Sequence, residues 1–216
     1  MLKGAVRLMA CVALVGAAAI ALQSAIEPVS TLMVGRWITG RPVDRRWVPL
    51  AAVSPELVAS VILSEDGQFC HEHGVDLSAL REVISQGHAP TRGASTLTMQ
   101  LAKNLFLWPG RSYLRKALEI PLAVLLDALW GKHRVLEVYL NVAEWGDGIY
   151  GIEAAAQRRF RVPASALSPQ QAALLATALP NPALRSVTRP SRRHRLLARR
   201  ILDMQNIAGP HVACVD

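Results

Sequence analysis

Ser95, Thr96, Gln100, Lys103 and Asn104 crowd hydroxyls, amides and one ammonium into the short segment that begins at Gly93. Thr96, Gln100, Lys103 and Asn104 recur at spacings of three and four, so a helix carries them on one face. Leu97 and Leu101 then point to a core. Gly93-Ala94 reads as a turn, with Ser95 as the N-cap of that helix. A polar stripe with one cation, set in an otherwise apolar stretch, suits a polyoxygenated or phosphorylated ligand. Taken alone, it also fits a solvated helix face.

Three further blocks flank this one. Upstream stands Glu65-Asp66-Gly67-Gln68-Phe69-Cys70-His71-Glu72-His73-Gly74, and downstream stand Arg115-Lys116-Ala117-Leu118-Glu119 and Lys132-His133-Arg134-Val135-Leu136-Glu137-Val138-Tyr139-Leu140-Asn141. In this order the blocks resemble the peptidoglycan glycosyltransferases of glycosyltransferase family 51. Their motifs run Glu-Asp-x-x-Phe-x-x-His-x-Gly, Gly-x-Ser-Thr-Ile-Thr-Gln-Gln-Leu-x-Lys-Asn, Arg-Lys-x-x-Glu and Lys-x-x-Ile-Leu-x-x-Tyr-Leu-Asn. The resemblance covers residues 45–185, and no transpeptidase block accompanies it, as in monofunctional members of the family.

The resemblance implies a mainly α, lysozyme-like glycosyltransferase domain with a small membrane-proximal lobe. It implies a reaction in which the sugar 4-hydroxyl of lipid II attacks the anomeric carbon of a growing glycan strand, with inversion, and polyprenyl diphosphate leaves. An alcohol is a weak nucleophile and needs a base, a role the resemblance gives to Glu65. It gives Glu119 the part of a second catalytic carboxylate. Lys103, Arg115 and Lys116 are the cations for the departing diphosphate. Asp66, Phe69, His73, Ser95, Thr96, Gln100, Asn104 and Lys132 complete the substrate-binding set, although Asp66 also reads as a residue that orients the turn. Tyr139 and Asn141 read as holding the shape of the cleft. The resemblance allows a divalent cation, Mg²⁺ or Mn²⁺, at the diphosphate, but no metal-ligand motif is visible. His71-Glu72-His73 lacks the one-turn spacing of a zinc helix. Other cell-wall synthesis proteins are conceivable partners.

These residues must be positioned by helices. Ser54-Pro55-Glu56 is a helix start, and the apolar run from Leu57 to Leu63 carries that helix into Glu65. Residues 74–93 read as a loop over the site. Trp108-Pro109-Gly110 reads as a turn, Pro121 as a kink or break, and Ser168-Pro169-Gln170-Gln171 as a capping box. Gly146 to Gly151 is a glycine-rich turn that lacks the Lys-Ser/Thr of a phosphate loop. Leu196, Leu197, Ile201 and Leu202 interleave with Arg192, Arg193, Arg195, Arg199 and Arg200 as a basic amphipathic helix.

The chain has 216 residues, enough for one domain plus an anchor. Leu8 to Leu22 carries no charge, and continued to Ile26 it spans roughly 28 Å as a helix, close to a bilayer core. It is read as a transmembrane anchor with a cytoplasmic tip (residues 1–27) before a glycosyltransferase domain (28–216), while a cleaved signal peptide is the rival. Lys3 and Arg7 before the run are balanced by Arg36 and Arg41 after it, so charge does not orient it. The resemblance places the domain on the periplasmic side of the inner membrane, single-pass. The net charge of +8 is explained by anionic membrane lipids rather than nucleic acid. Of three cysteines, Cys70 and Cys214 are able to pair in an oxidising compartment, but no spacing demands it.

Met99 stands where the family has the first of two glutamines, and Gly131 where it often has Ser. Met cannot replace an amide's hydrogen bonds, so the change matters only if that position meets substrate. Two other functions remain open on sequence. A hydrolase of the same polymer also needs carboxylates in a glycan cleft, but has less use for the cations. A non-enzymatic anchored scaffold has no need to keep both Glu65 and Glu119.

Overall fold

The computed structural model describes residues 14, 16–86, 95–110 and 112–215. The chain is mainly helical, as expected. Its helices are α1 (Thr31–Ile38), α2 (Pro55–Glu65), α3 (Leu77–Gln86), α4 (Leu97–Phe106), α5 (Tyr113–Val142), α6 (Ile152–Phe160), α7 (Pro169–Ala178), α8 (Arg192–Gln205) and the single turn α9 (Gly209–Val212). Three short strands, β1 (Asp44–Arg45), β2 (Glu144–Gly146) and β3 (Ile149–Tyr150), form a sheet of order β1-β3-β2. β1 runs parallel to β3, and β2 antiparallel to it with a bulge between Glu144 and Gly146.

α2 is the central element. Ser54 caps it by accepting from Leu57 N, Pro55 opens the first turn, and Leu57, Val58, Ser60, Val61, Ile62 and Leu63 are all buried. Each fully buried aliphatic side chain contributes about 1.5–3 kcal/mol, so the helix is held on nearly every side. It packs on α7, whose small side chains from Ala172 to Ala178 let the two axes approach, and on α8. Ser168 and Gln171 form the reciprocal cap that the sequence announces for α7. α8 is amphipathic, burying His194, Ala198 and Ile201 while its arginines face outward.

Three local expectations are corrected. Thr96, not Ser95, caps α4: its side chain accepts from Met99 N at 3.0 Å, while Ser95 turns to Lys116. α5 passes through Pro121 and breaks at Gly131, whose backbone (φ 70°, ψ 163°) is open to glycine and costly for other residues. The stretch expected as a loop after Gly74 contains α3, whereas residues 87–94 lie outside the described residues.

Residues 16–23 are helical, and the Trp130 indole donates to Ile20 O at 2.8 Å. Among the described residues no helix is long and apolar enough to cross a membrane. The apolar run that begins at Leu8 lies partly outside them. A disulfide joins Cys70 to Cys214, the pairing that the sequence left open.

Candidate active site

The site forms where the C-terminal end of α2 meets the N-terminal half of α4, with α5 alongside. Glu65 is the last residue of α2. Its Oε2 accepts from Gln100 Nε2 at 3.2 Å, and its Oε1 from Ser64 Oγ at 3.3 Å. Tyr139 Oη donates to Gln100 Oε1 at 3.0 Å, which turns the amide so that Nε2 faces the carboxylate. Burial holds the Tyr139 phenol well above its ordinary pKa, so it is a donor at any working pH. Burial also raises the Glu65 pKa; the donors Gln100 and Ser64 and the charges of Arg185 and Lys103 pull it part of the way back. This is the environment of a base tuned upward toward neutrality.

Asp66 faces the other way. Its Oδ2 accepts from Leu97 N at 2.9 Å, so it ties the end of α2 to the start of α4. Burial raises its pKa to about 6, against the pull of the backbone donors. Thr96 Oγ1 donates to Gly74 O at 2.7 Å. The loop from Asp66 to Gly74 is therefore fastened to α4 at both ends. A Cβ on Gly74, whose φ is +82°, would lie 2.5 Å from Ala123 O of α5, so only glycine fits.

A cationic cluster lies between α4 and the first turns of α5. Glu119, 3 % exposed, pairs with Arg115 one turn before it and with Lys116 Nζ at 3.0 Å. Lys116 Nζ also donates to Ser95 Oγ at 2.6 Å. Burial lowers the Lys103 pKa, and the neighbouring Arg115 and Lys116 lower it further while Glu119 and, more weakly, Glu65 raise it. Lys103 thus feels both carboxylates. Three cations surround one buried carboxylate, leaving positive charge for an anionic ligand. Lys103, Asn104 and Arg115 line one cleft of about 320 Å³ together with Thr31, Leu107 and Trp108. Large apolar side chains stand exposed beside it at Trp108, Tyr113 and Leu114, and others at Trp37 and Ile38 of α1.

Lys132 and its neighbours form a separate group. Lys132 Nζ lies 2.8 Å from Glu72 Oε1 and 2.7 Å from Asp127 Oδ1, and sits over the Phe69 ring at 4.8 Å. Both acids hold Lys132 inward, and Phe69 is fully buried, so these two residues brace the loop rather than face the cleft. The His73 side chain is 96 % exposed, with Nδ1 3.8 Å from Asp127. Counted from Glu65, the histidine of the family motif falls at position 72, where this chain has Glu; this departure adds to those at Met99 and Gly131. Burial raises the Glu72 pKa to about 7 in spite of Lys132. Met99 is buried in the core, which explains why a thioether is tolerated there. Asn141 bonds the backbone of Val48 in both directions and so ties α5 to the segment that precedes α2.

Sequence reasoning did not find Asp127 or the place of Arg185 near Glu65, because neither belongs to a spaced pattern, and it named the Cys70–Cys214 pairing only as an open possibility. Among the described residues no group of His, Cys, Asp or Glu is arranged to hold a metal ion. The two carboxylates nearest the cationic cluster are already engaged, Glu65 with amide and hydroxyl donors and Glu119 with Arg115 and Lys116. The residues present do not form a metal-ligand set.

The chain is similar to proteins named biosynthetic peptidoglycan transglycosylase. It is 56 % identical to that of Agrobacterium fabrum (strain C58) over 192 residues, 88 % of this chain and 85 % of the relative. It is 52 % identical to that of Brucella suis biovar 1 over 192 residues, 88 % and 86 % of the two chains. It is also 52 % identical to that of Rhizobium etli over 193 residues, 88 % and 82 %. The transglycosylase family profile matches residues 32–206, from within α1 through the end of α8 and across Glu65, Gln100, Lys103, Arg115, Lys116 and Glu119, and the chain belongs to that family.

Proposed function

We propose that this transglycosylase polymerises lipid II into peptidoglycan glycan strands, releasing polyprenyl diphosphate with inversion at the anomeric carbon. The observation that carries the reading is that α4 joins a half-buried carboxylate to a set of cations: Gln100 of α4 aims Glu65 at the end of α2, and Lys103, three residues further along α4, stands with Arg115 and Lys116 of α5 around Glu119.

In this reading Glu65 takes the proton from the acceptor 4-hydroxyl as the oxygen attacks the donor sugar. Its raised pKa makes it a stronger base than an exposed glutamate, and neighbouring cations keep it ionised enough to act. The glycosidic C–O bond breaks toward the diphosphate, and its developing charge is met by Lys103 and Arg115 in the cleft. Arg115 presents a fork to phosphate oxygens, and Lys103 a point charge. Glu119 acts through these cations, fixing Arg115 and Lys116 so that no side-chain reorganisation accompanies the charge shift. Gln100 and Asn104 orient sugar and phosphate oxygens, and Ser95 does so through Lys116. No step is routed through a metal ion.

The apolar run from Leu8 anchors the chain in the inner membrane, with the domain on the periplasmic side. The Cys70–Cys214 bond supports this placement, because disulfides persist on oxidising sides of membranes. The exposed Trp37, Ile38, Trp108, Tyr113 and Leu114 then form the membrane-proximal lobe that receives the lipid end of the substrate.

The test is polymerisation of labelled lipid II by the detergent-solubilised protein beside Glu65→Gln. The wild type is expected to give a ladder of glycan, and the variant to lose at least about a thousandfold in rate, the loss expected when a general base is removed. A ladder of equal intensity from both proteins removes Glu65 as the base. Release of reducing ends from finished glycan, with lipid II untouched, replaces the transferase reading with a hydrolase.

A further inference from the structure

The family match ends at residue 206, but the chain continues and returns to the catalytic loop. Gln205, at the end of α8, donates to Glu56 O at 3.1 Å and Ser60 Oγ at 2.8 Å, so the tail leaves from the flank of α2. α9 then packs on α2. His211 Nδ1 lies 2.7 Å from Gly67 O; a carbonyl only accepts, so this nitrogen carries the proton. Cys214 closes the tail onto Cys70 across 144 residues of sequence. Val212 and Val215 seat the tail in the core. Gly67 and Cys70 lie two and five residues after Glu65.

The same loop is held by α4 at Asp66 and Gly74, and from the α5 side through Glu72 and Phe69. The tail adds a further restraint, at Gly67 and Cys70. We propose that residues 209–215 form a clasp whose His211 and Cys214 position Glu65 through the 66–70 loop, and that reduction of the disulfide releases it. The proposal rests on Glu65 being the base.

The redox step is thiol–disulfide exchange with a dithiol. The dithiol's two sulfurs are oxidised to a disulfide, the Cys70–Cys214 bond breaks, and each cysteine takes up one electron and one proton. The cations Lys103, Arg115 and Lys116 lie on α4 and α5, not on the released loop, so lipid II still binds. Glu65 loses the fixed angle that the reaction requires, and turnover falls.

The full-length protein in detergent, oxidised or treated with dithiothreitol, is compared by two readouts. The first is amide hydrogen exchange in the peptide covering residues 64–74. The second is kcat and KM for lipid II. Thiol titration in denaturant checks the state: one thiol, Cys11, when oxidised, and three when reduced. Reduction is expected to speed exchange in this peptide about tenfold and to lower kcat about tenfold, with KM within about twofold. Cys70→Ser/Cys214→Ser should match the reduced wild type and ignore dithiothreitol. His211→Ala keeps the disulfide and should lower kcat several-fold with unchanged circular dichroism. Unchanged exchange and kcat with three thiols free overturns the clasp. If the oxidised wild type makes no polymer, the transferase reading fails, and exchange at residues 64–74 alone decides the clasp.

Discussion

At the residue scale, the Glu65 carboxylate, the proposed base, is set by a chain of two hydrogen bonds, from Tyr139 to Gln100 and from Gln100 to Glu65. The Gln100 donor favours the ionised carboxylate, so it lowers a pKa that burial has raised. Replacing it with an apolar side chain of similar size removes the lowering contribution and leaves the burial. Gln100→Leu is therefore expected to move the acidic limb of the kcat–pH profile to higher pH, because the base is protonated sooner as pH falls. Tyr139→Phe frees the amide to rotate and should move the limb the same way by less. An unmoved limb in both variants detaches the limb from Glu65. A second titration concerns stability. Glu72 has a folded pKa of about 7 against an ordinary 4.5, so the native state holds a proton that the unfolded chain has lost between those values. Stability is thus greatest below this window and declines as pH rises through it. Asp66, held at about 6, contributes with the same sign in the lower part of the window. Melting temperatures at pH 5 and pH 7.5 should differ for the wild type, and Glu72→Gln should keep only the smaller share of that difference that Asp66 contributes below about pH 6.

At the element scale, the site depends on how closely three segments meet at Gly74. Thr96 of the α4 cap bonds its carbonyl, and the α5 backbone at Ala123 occupies the space a Cβ would need. Gly74→Ala forces a positive φ on an L residue and a 2.5 Å approach to backbone that cannot step aside. The cost expected is about 3 kcal/mol, which lowers the melting temperature by roughly 6–12 °C. Gly67, in the same loop, has nothing within 4 Å of its added Cβ and no positive φ. Gly67→Ala should stay within about 2 °C of wild type by the same measurement. Equal losses for the two variants would assign the effect to the loop in general. What the sequence made legible here was local. The Ser54 cap, the polar face of α4, the Ser168 box and the amphipathic α8 are periods and caps within ten or so residues. The Asp66–Leu97, Glu72–Lys132 and Cys70–Cys214 contacts span 31, 60 and 144 residues, and no spacing encodes them. Residue type favours Ser95 over Thr96 as the cap, and only the Lys116 contact, which turns Ser95 away, decides for Thr96. A helix pinned by its neighbours absorbs the missing donor of Pro121, whereas the φ of Gly131 is invisible in a sequence.

At the scale of the whole molecule, the substrate dictates how the protein must sit. In the proposed reading the diphosphate of lipid II sits in the cleft with Lys103 and Arg115, which places the cleft within a side chain's length of the membrane headgroups. Tyr113 is 98 % and Leu114 65 % exposed, directly before Arg115 and Lys116. Water is a poor solvent for such a pair, and burial in the interface returns about 25 cal/mol per Å² of apolar surface. The net charge of +8 adds attraction to anionic lipids that acts over about a Debye length. Tyr113→Ser/Leu114→Ser changes only exposed side chains at the first helical positions, so the fold and the cleft cations stay in place. With lipid II embedded in vesicles, the double variant is expected to lose roughly ten- to hundredfold in kcat/KM, the equivalent of one to two buried side chains. With a short-chain, water-soluble lipid II analogue and no membrane, it should match the wild type within about twofold. A loss on both substrates places the two residues in the cleft itself. No loss on either moves the membrane contact elsewhere, to Trp37 and Ile38 of α1, where the same pair of assays applies.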